Sequence, residues 1–168
     1  SRVDGHQFIS NALQNGAVAA IVEYVPKEVI SSSKLIKVDN VYQALCRLGV
    51  SSRNRTKSQV VGITGSFGKT TTKEMLHLIL KDQGLTHSSI KSFNNHLGVP
   101  LSLARLPQET QYGIFEVGMS HAGEISVLSR LLRPTVALII EISEVHAVNF
   151  FSLEEIAAAK SEIFEGVV

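Results

Sequence analysis

Residues 60–75 read VVGITGSFGKTTTKEM, an apolar run that passes through two glycines into a helical pattern. An apolar run without polar alternation is typical of a strand that is covered on both faces of a parallel sheet. A strand, a glycine-containing turn and a helix in this order present backbone N–H groups to an anion, a lysine to its outer phosphates and a hydroxyl to Mg²⁺. The pattern therefore predicts a phosphate-binding loop made of Gly65, Ser66, Phe67, Gly68, Lys69, Thr70 and Thr71.

This loop departs from the general phosphate-loop pattern, G-x-x-x-x-G-K-[ST], at one position. The pattern requires glycine at position 63, where this chain has Ile63, so the match is G-x-x-G-K-T. Phe67 also places a bulky side chain inside the loop. The alternative is a chance cluster of Gly, Lys and Thr in a surface turn, but the strand, turn and helix context favours a phosphate loop.

The composition restricts what the chain can bind and where it works. Its 168 residues are 44% hydrophobic and 18% charged, with a formal net charge of +1, so no overall charge attracts nucleic acid or an anionic membrane. The single cysteine excludes an internal disulfide framework and a cysteine-based zinc cluster. An apolar run of about eighteen residues and a signal-peptide pattern are both missing from the sequence. We expect a cytoplasmic protein that neither inserts into a membrane nor binds nucleic acid.

The wider pattern alternates strands and helices. Strands are predicted at 35–38, 60–64, 112–116 and 135–140, and helices at 69–83, 97–106 and 122–132. This order predicts an α/β protein with a doubly wound, mostly parallel sheet of phosphate-loop type, in which ligands bind at the carboxyl ends of the strands. The polar stretch SSRNRTKS, residues 51–58, is interpreted as a linker, so a domain boundary is expected between residues 55 and 56.

The helix after the phosphate loop is predicted to have an apolar face and a polar face. Its apolar residues are Met75, Leu76, Ile79 and Leu80. Lys73 falls on another face, together with His77 and Lys81.

A carboxylate follows a second apolar strand. Glu116 ends the run YGIFE, where the carboxyl end of a parallel strand opens towards the expected ligand crevice. A bound nucleotide triphosphate needs such a group for its metal ion. Glu116 is therefore a candidate Mg²⁺ ligand, and the alternative is a solvated glutamate at the edge of the sheet.

Lys160 occupies an apolar stripe in the last predicted helix. Ser152 and Glu155 form a capping box at the start of that helix. The apolar residues that follow are Leu153, Ile156, Ala157, Ile163, Phe164 and Val167, and Lys160 completes their spacing. The side chain must extend along the surface, pair with an acid or face a polar cavity. If it is desolvated, its pKa falls and its neutral amine becomes available for carbamylation.

With these residues identified, the chain resembles the Mur ligase superfamily over nearly its whole length. The motifs that carry the resemblance are DGHQFI at 4–9, GITGSFGKTTTKEM at 62–75, FNNHLGVPLSL at 93–103, EVGMSHAGEI at 116–125, RP at 133–134, and AKSEIF at 159–164 with His146 before it. The combination of FNN-x-x-GVPL with E-x-G-x-x-H-x-GEI resembles most the family members that add D-Ala-D-Ala to UDP-MurNAc-tripeptide.

The resemblance implies roles for individual residues. The phosphate loop and Lys69 would bind the ATP phosphates, and Mg²⁺ would be held by Thr70, Glu116, His146 and Lys160. Lys69, Glu116, His146 and Lys160 would form the catalytic set, with Lys160 resembling a lysine that the family often carbamylates. Asn94, Asn95 and His121 would line the substrate site, although Asn94 and Asn95 could also form an ordinary turn.

The resemblance also implies a domain order and an activity. Residues 1–55 would be the C-terminal part of a UDP-substrate-binding domain, and residues 56–168 the first part of a central ATP-binding domain, without the C-terminal domain. The implied activity is an ATP-dependent amide ligation through an acyl phosphate, in a monomer whose fragment alone is expected to be inactive. The alternatives are another Mur-type amide ligase and a nucleotide-binding module without catalysis.

Overall fold

The computed structural model describes residues 3–26, 32–144 and 149–168, with the side chain of Ser32 left out. Within these residues the chain forms two compact units, Ser1–Leu45 and Cys46–Val168. No helix in the described part of the chain is both long enough and apolar enough to cross a membrane.

The first unit contains a small parallel α/β arrangement. A 3₁₀ turn at Gly5–Phe8 leads into α1 (Ile9–Gln14), which is followed by β1 (Ala20–Val22) and β2 (Leu35–Lys37). The two strands pair in parallel, with Ile21 opposite Ile36. β2 lies where the sequence predicts a strand at residues 35–38.

His6 of the DGH motif links the start of the chain to β1. Its Nδ1 lies 2.7 Å from Asp4 Oδ1, and its Nε2 accepts a hydrogen bond from the backbone N–H of Glu23 at 3.0 Å. Asp4 Oδ1 also accepts from the N–H of His6 at 3.0 Å. The motif therefore has a structural function within the first unit.

The second unit is built on a four-stranded parallel sheet. Its order is β4-β5-β3-β6, and every neighbouring pair runs in parallel. The elements follow in the chain as α2 (Val41–Arg55, which begins in the first unit), β3 (Gln59–Thr64), α3 (Lys69–Leu80), β4 (Thr86–Ser88), α4 (Gly98–Ala104), β5 (Tyr112–Glu116), α5 (Glu124–Leu132), β6 (Val136–Ile139), α6 (Leu153–Ser161) and a 3₁₀ helix, Glu162–Gly166. The predicted parallel α/β fold is confirmed.

The two faces of the sheet are covered by different helices. Phe115 and Val117 belong to a buried core that also contains residues of α4, α5 and α6. Because side chains alternate along a strand, Glu116 points to the opposite face, where α3 packs on β3, β4 and β5. The register places Glu116 beside Ile63, just before the loop that follows β3. The fold therefore brings the end of β5 next to the predicted phosphate loop.

The linker interpretation of residues 51–58 is wrong. Residues 51–55 are the last turns of α2, and the two units divide at Leu45/Cys46 rather than after residue 55. Arg53 is 8% exposed and donates to the backbone oxygens of Leu132 and Arg133, at 3.1 and 2.9 Å. A polar stretch can be buried in this way because its side chains satisfy carbonyl groups left free at the end of α5.

The faces predicted for α3 are also wrong. The helix ends at Leu80, and Met75 and Ile79 are 58% and 62% exposed. Lys73, which the pattern places on the face opposite the apolar residues, is fully buried. The hydrophobic periodicity fails for Lys73 because the backbone oxygens of Ser89 and Lys91 and the carboxylate of Glu116 provide partners for its buried ammonium group.

The last predicted helix is divided in two. α6 ends at Ser161 and continues as the 3₁₀ helix Glu162–Gly166. Ile156 and Ile163 are buried as expected, but Leu153, Phe164 and Val167 are 41% to 52% exposed. The change in helical pitch after Ser161 takes Phe164 and Val167 off the stripe assumed from the sequence, and Leu153 lies in the exposed first turn of α6.

A candidate phosphate and metal site

The loop after β3 is fastened to the chain that follows β6. The Ser66 hydroxyl donates to the backbone oxygen of Ser143 at 3.0 Å and accepts from its N–H at 2.9 Å. The N–H of Ser66 donates to the backbone oxygen of Glu141 at 2.9 Å. A methyl group on Gly65 would lie 2.5 Å from Ile140 Cγ1, so this close approach requires glycine.

Lys69 bends back over the loop from the first turn of α3. Gly68, with a φ of 78°, adopts the left-handed conformation that turns the chain into the helix. The Lys69 ammonium group donates to the backbone oxygen of Gly65 at 2.5 Å and to that of Ser66 at 3.3 Å. Burial lowers the pKa of Lys69, while the negative charge of Glu116 acts in the opposite direction. The cation is thus held at the loop rather than extended into solvent.

A cavity of about 320 Å³ opens in front of the loop. It is lined by Ser66, Phe67, Gly68, Lys69, Thr70, Thr71, Ser92, Asn94 and Glu116. The first N–H groups of a helix have no acceptor within it, and the lining residues include the first turn of α3. The cavity therefore combines a lysine with backbone donors, which is the chemistry that binds phosphate.

Glu116 lies at the inner wall of this cavity and is fully buried. Its Oε2 accepts a hydrogen bond from the Thr70 hydroxyl at 3.1 Å. Its Oε1 is 3.2 Å from Lys73 Nζ but receives no hydrogen bond of acceptable geometry from the described residues. A buried carboxylate oxygen with an unsatisfied acceptor position, next to a hydroxyl, fits a Mg²⁺ ion that takes its other ligands from phosphate and water.

No group of three or more His, Cys, Asp and Glu residues that could hold a metal occurs among the described residues. Besides Glu116, the described oxygen atoms at the cavity include the hydroxyls of Thr70 and Ser92, which lie 3.3 Å apart. A site with one carboxylate suits Mg²⁺, which commonly uses one or two carboxylates together with phosphate oxygens and water.

Lys73 is the residue of this site that the sequence analysis missed. Its ammonium group donates to the backbone oxygens of Ser89 and Lys91 at 2.8 and 2.7 Å, and lies 3.2 Å from Glu116 Oε1. The available signal was its spacing, since residues i and i+4 share a helix face and Lys73 follows Lys69 by four. Ser92, which lines the cavity, had no such signal.

The predicted substrate residues lie in different places. Asn94 lines the cavity. Asn95 Oδ1 accepts from the N–H groups of Leu97 and Gly98, at 3.1 and 2.8 Å, so this side chain caps the start of α4. His121 is exposed, with its Nδ1 3.4 Å from Glu124 Oε1, and does not line the cavity. The substrate roles of these residues stay predictions.

Lys160 is 2% exposed, so of the alternatives left open by the sequence its side chain does not extend along the surface. Burial lowers the pKa of Lys160 to about 8, and the positive charge of Lys69 acts in the same direction. His146, the remaining predicted metal ligand, lies outside the described residues.

Comparison with known proteins adds a family to this geometry. UDP-N-acetylmuramoyl-tripeptide--D-alanyl-D-alanine ligase of Rickettsia prowazekii (strain Madrid E) is 44% identical over 162 residues, which cover 96% of this chain and 36% of that protein. The protein of the same name from Bacillus subtilis (strain 168) is 39% identical over 166 residues, covering 99% and 36%. The chain thus spans little more than a third of the length of these relatives.

Solved structures agree with the sequence comparison. MurF from Acinetobacter baumannii matches with a TM-score of 0.87 and 37% identity, covering 100% of this chain and 37% of that one. MurF ligase from Thermotoga maritima in complex with ADP matches with a TM-score of 0.83 and 32% identity, covering 99% and 38%. Residues 63–168 match the Mur ligase middle domain family. Since this match covers more than half of the chain, the protein belongs to the Mur ligase middle domain family.

Proposed function

We propose that the chain binds ATP with Mg²⁺ and supplies the nucleotide site of an amide ligase that joins D-Ala-D-Ala to UDP-MurNAc-tripeptide. The observation that carries this proposal is the arrangement of Lys69, Thr70 and Glu116 around one cavity at the carboxyl ends of β3 and β5. The substrate assignment is supported by relatives named for this reaction. Nucleotide binding is supported by the similar structure that contains ADP.

In the proposed complex the loop binds the β- and γ-phosphates. The Lys69 ammonium group exchanges the backbone oxygen of Gly65 for a phosphate oxygen, which requires only a change of side-chain conformation. Backbone N–H groups at the start of α3 donate to the same phosphates. Both groups stabilise the negative charge that spreads over the transferred phosphoryl group.

Thr70 and Glu116 would hold the metal ion. When bound, Mg²⁺ neutralises charge on the phosphates and orients them. The hydrogen bond from Thr70 to Glu116 fixes the carboxylate before metal binds, so little reorganisation is needed. His146 and Lys160 stay the predicted remaining members of this metal set.

The reaction moves the γ-phosphoryl group of ATP to the terminal carboxylate of the tripeptide, which forms an acyl phosphate and ADP. The amine of D-Ala-D-Ala then attacks the acyl carbon, phosphate leaves and an amide forms. Both nucleophiles belong to the substrates. The protein therefore contributes orientation and charge stabilisation rather than a nucleophile of its own.

Lys160 fits the predicted carbamylation. A buried lysine with a pKa of about 8 has a larger neutral fraction at physiological pH than an exposed lysine. The neutral amine can attack CO₂, which yields a carbamate anion after loss of a proton. Near Lys69, this change would replace repulsion between two cations by attraction.

Other predictions complete this proposal. The first compact unit is assigned to the UDP-substrate side and the second to the ATP side, with the division near residue 45 rather than at the predicted residue 55. A monomeric state and a cytoplasmic location are carried over from the sequence analysis.

A chimera tests the proposed function. This chain replaces the matching segment of the Bacillus subtilis relative, with which it shares 39% identity over 166 residues. We expect the chimera to release phosphate from ATP only when UDP-MurNAc-tripeptide and D-Ala-D-Ala are both present. The measurement is phosphate release coupled to chromatographic detection of the amide product.

The control is the same chimera with Lys69→Met, which is expected to release no phosphate above background. A folded chimera that releases phosphate when one or both substrates are left out would contradict the proposal. So would a chimera whose phosphate release is unchanged by Lys69→Met.

A further inference from the structure

Lys73 lies between two carboxylates of different exposure. On the inner side, its Nζ is 3.2 Å from Oε1 of the fully buried Glu116. On the outer side, it is 3.0 Å from Oε1 of Glu74, whose side chain is 58% exposed. The ammonium group therefore has two anionic partners at once, one in the proposed metal site and one at the surface.

The position of the ammonium group is fixed independently of either carboxylate. Two of its N–H groups donate to the backbone oxygens of Ser89 and Lys91, at 2.8 and 2.7 Å. Lys91 has a φ of 51°, an uncommon conformation for a residue other than glycine, so the backbone here is held in a costly shape that presents its oxygen. When Glu116 changes partner, Lys73 therefore stays in place.

This arrangement creates competition at Glu116. A metal ion bound to Glu116 shares the carboxylate with an ammonium group about one hydrogen-bond length away, and the two cations repel each other. A second carboxylate beside the ammonium group reduces that repulsion. Glu74 is placed to do so without contacting the metal, because its side chain is 58% exposed and does not line the cavity.

We propose that Glu74 is a positioning residue that raises the affinity of the site for Mg²⁺. Its carboxylate partly neutralises the charge of Lys73 and so reduces the repulsion between that ammonium group and a metal ion bound to Glu116. The inference rests on the proposed binding of MgATP. It goes beyond that proposal because it assigns the strength of metal binding to a residue outside the metal set.

The experiment is calorimetric titration of the 168-residue chain with ATP, at a series of Mg²⁺ concentrations and in EDTA. For Glu74→Gln we expect the Mg²⁺ concentration at half-saturation to rise about three- to fivefold, the scale of a partly exposed ion pair. Metal-free ATP affinity should stay within about 1.5-fold of the wild type or become slightly tighter, since a negative charge is removed. A merely structural effect would weaken both quantities together.

Two further variants separate the proposal from general charge effects. Asp82→Asn removes an exposed carboxylate just beyond the end of α3 and should leave the Mg²⁺ half-saturation unchanged. Glu74→Asp keeps the charge and should stay within about twofold of the wild type.

If the Mg²⁺ concentration at half-saturation is unchanged in Glu74→Gln, or rises equally in Asp82→Asn, the inference is overturned. In either case the binding of MgATP by the wild type would still stand. A shift in Glu74→Asp as large as that in Glu74→Gln would also overturn it. Failure of the wild-type chain to bind ATP with any Mg²⁺ dependence would instead overturn the proposed function, and this inference with it.

Discussion

Lys73→Met is expected to lower the free energy of unfolding by about 3–5 kcal/mol, the range measured when one partner of a buried ion pair is removed. Methionine fills a similar volume, so the loss comes from charge and hydrogen bonding. Glu116 would remain as a buried anion, and the backbone oxygens of Ser89 and Lys91 would lose their donor. The measurement is urea unfolding of the 168-residue chain followed by circular dichroism.

Lys81→Met provides the matched control, because Lys81 is exposed at the end of the same helix. Its unfolding free energy should stay within about 0.5 kcal/mol of the wild type. A Lys73→Met variant as stable as the Lys81→Met variant would show that the buried ammonium group does not stabilise this part of the fold.

Lys69→Met is expected to weaken ATP binding about tenfold to a hundredfold. The loss corresponds to one charge-assisted hydrogen bond to phosphate, about 1.5–3 kcal/mol. Among the described residues, the Lys69 ammonium group donates to two loop carbonyls, so its removal should change stability far less than removal of Lys73. Calorimetric titration with ATP and Mg²⁺ measures the change in affinity.

The contrast between the two lysines makes this prediction specific. Lys69→Met should bind ATP poorly while unfolding at nearly the wild-type urea concentration. Equal ATP affinities for the wild type and Lys69→Met, with Lys81→Met as the reference, would argue against the assigned phosphate loop.

The sequence was sufficient for the parts of the fold that depend on local patterns. The buried strand before the loop, the glycines and the helix after it predict a strand, a turn and a helix regardless of distant contacts, and the structure has all three. Glu116 could be placed beside the loop because ligands in parallel sheets lie at the carboxyl ends of the strands. The spacing on α6 placed Lys160 in the apolar stripe, but the structure was needed to show that its side chain is buried.

Residues whose environment is made by distant segments could not be placed in this way. Arg53 is buried because its partners are carbonyl groups about 80 positions away, at the end of α5. Lys73 is buried because carbonyls of the loop after β4 and a carboxylate of β5 meet beneath α3. Periodicity assigns charged residues to the surface by default, and only the tertiary structure shows where that default fails.

A crystal structure of the 168-residue chain with Mg²⁺ and ADP would show whether the loop after β3 binds phosphate. We expect the diphosphate to lie in the cavity lined by residues 66–71, with Lys69 Nζ moved from the backbone oxygen of Gly65 to within about 3.2 Å of a phosphate oxygen. The metal should lie against Glu116 and the Thr70 hydroxyl. A diphosphate bound elsewhere on the chain, with Lys69 still on Gly65, would rule out this nucleotide site.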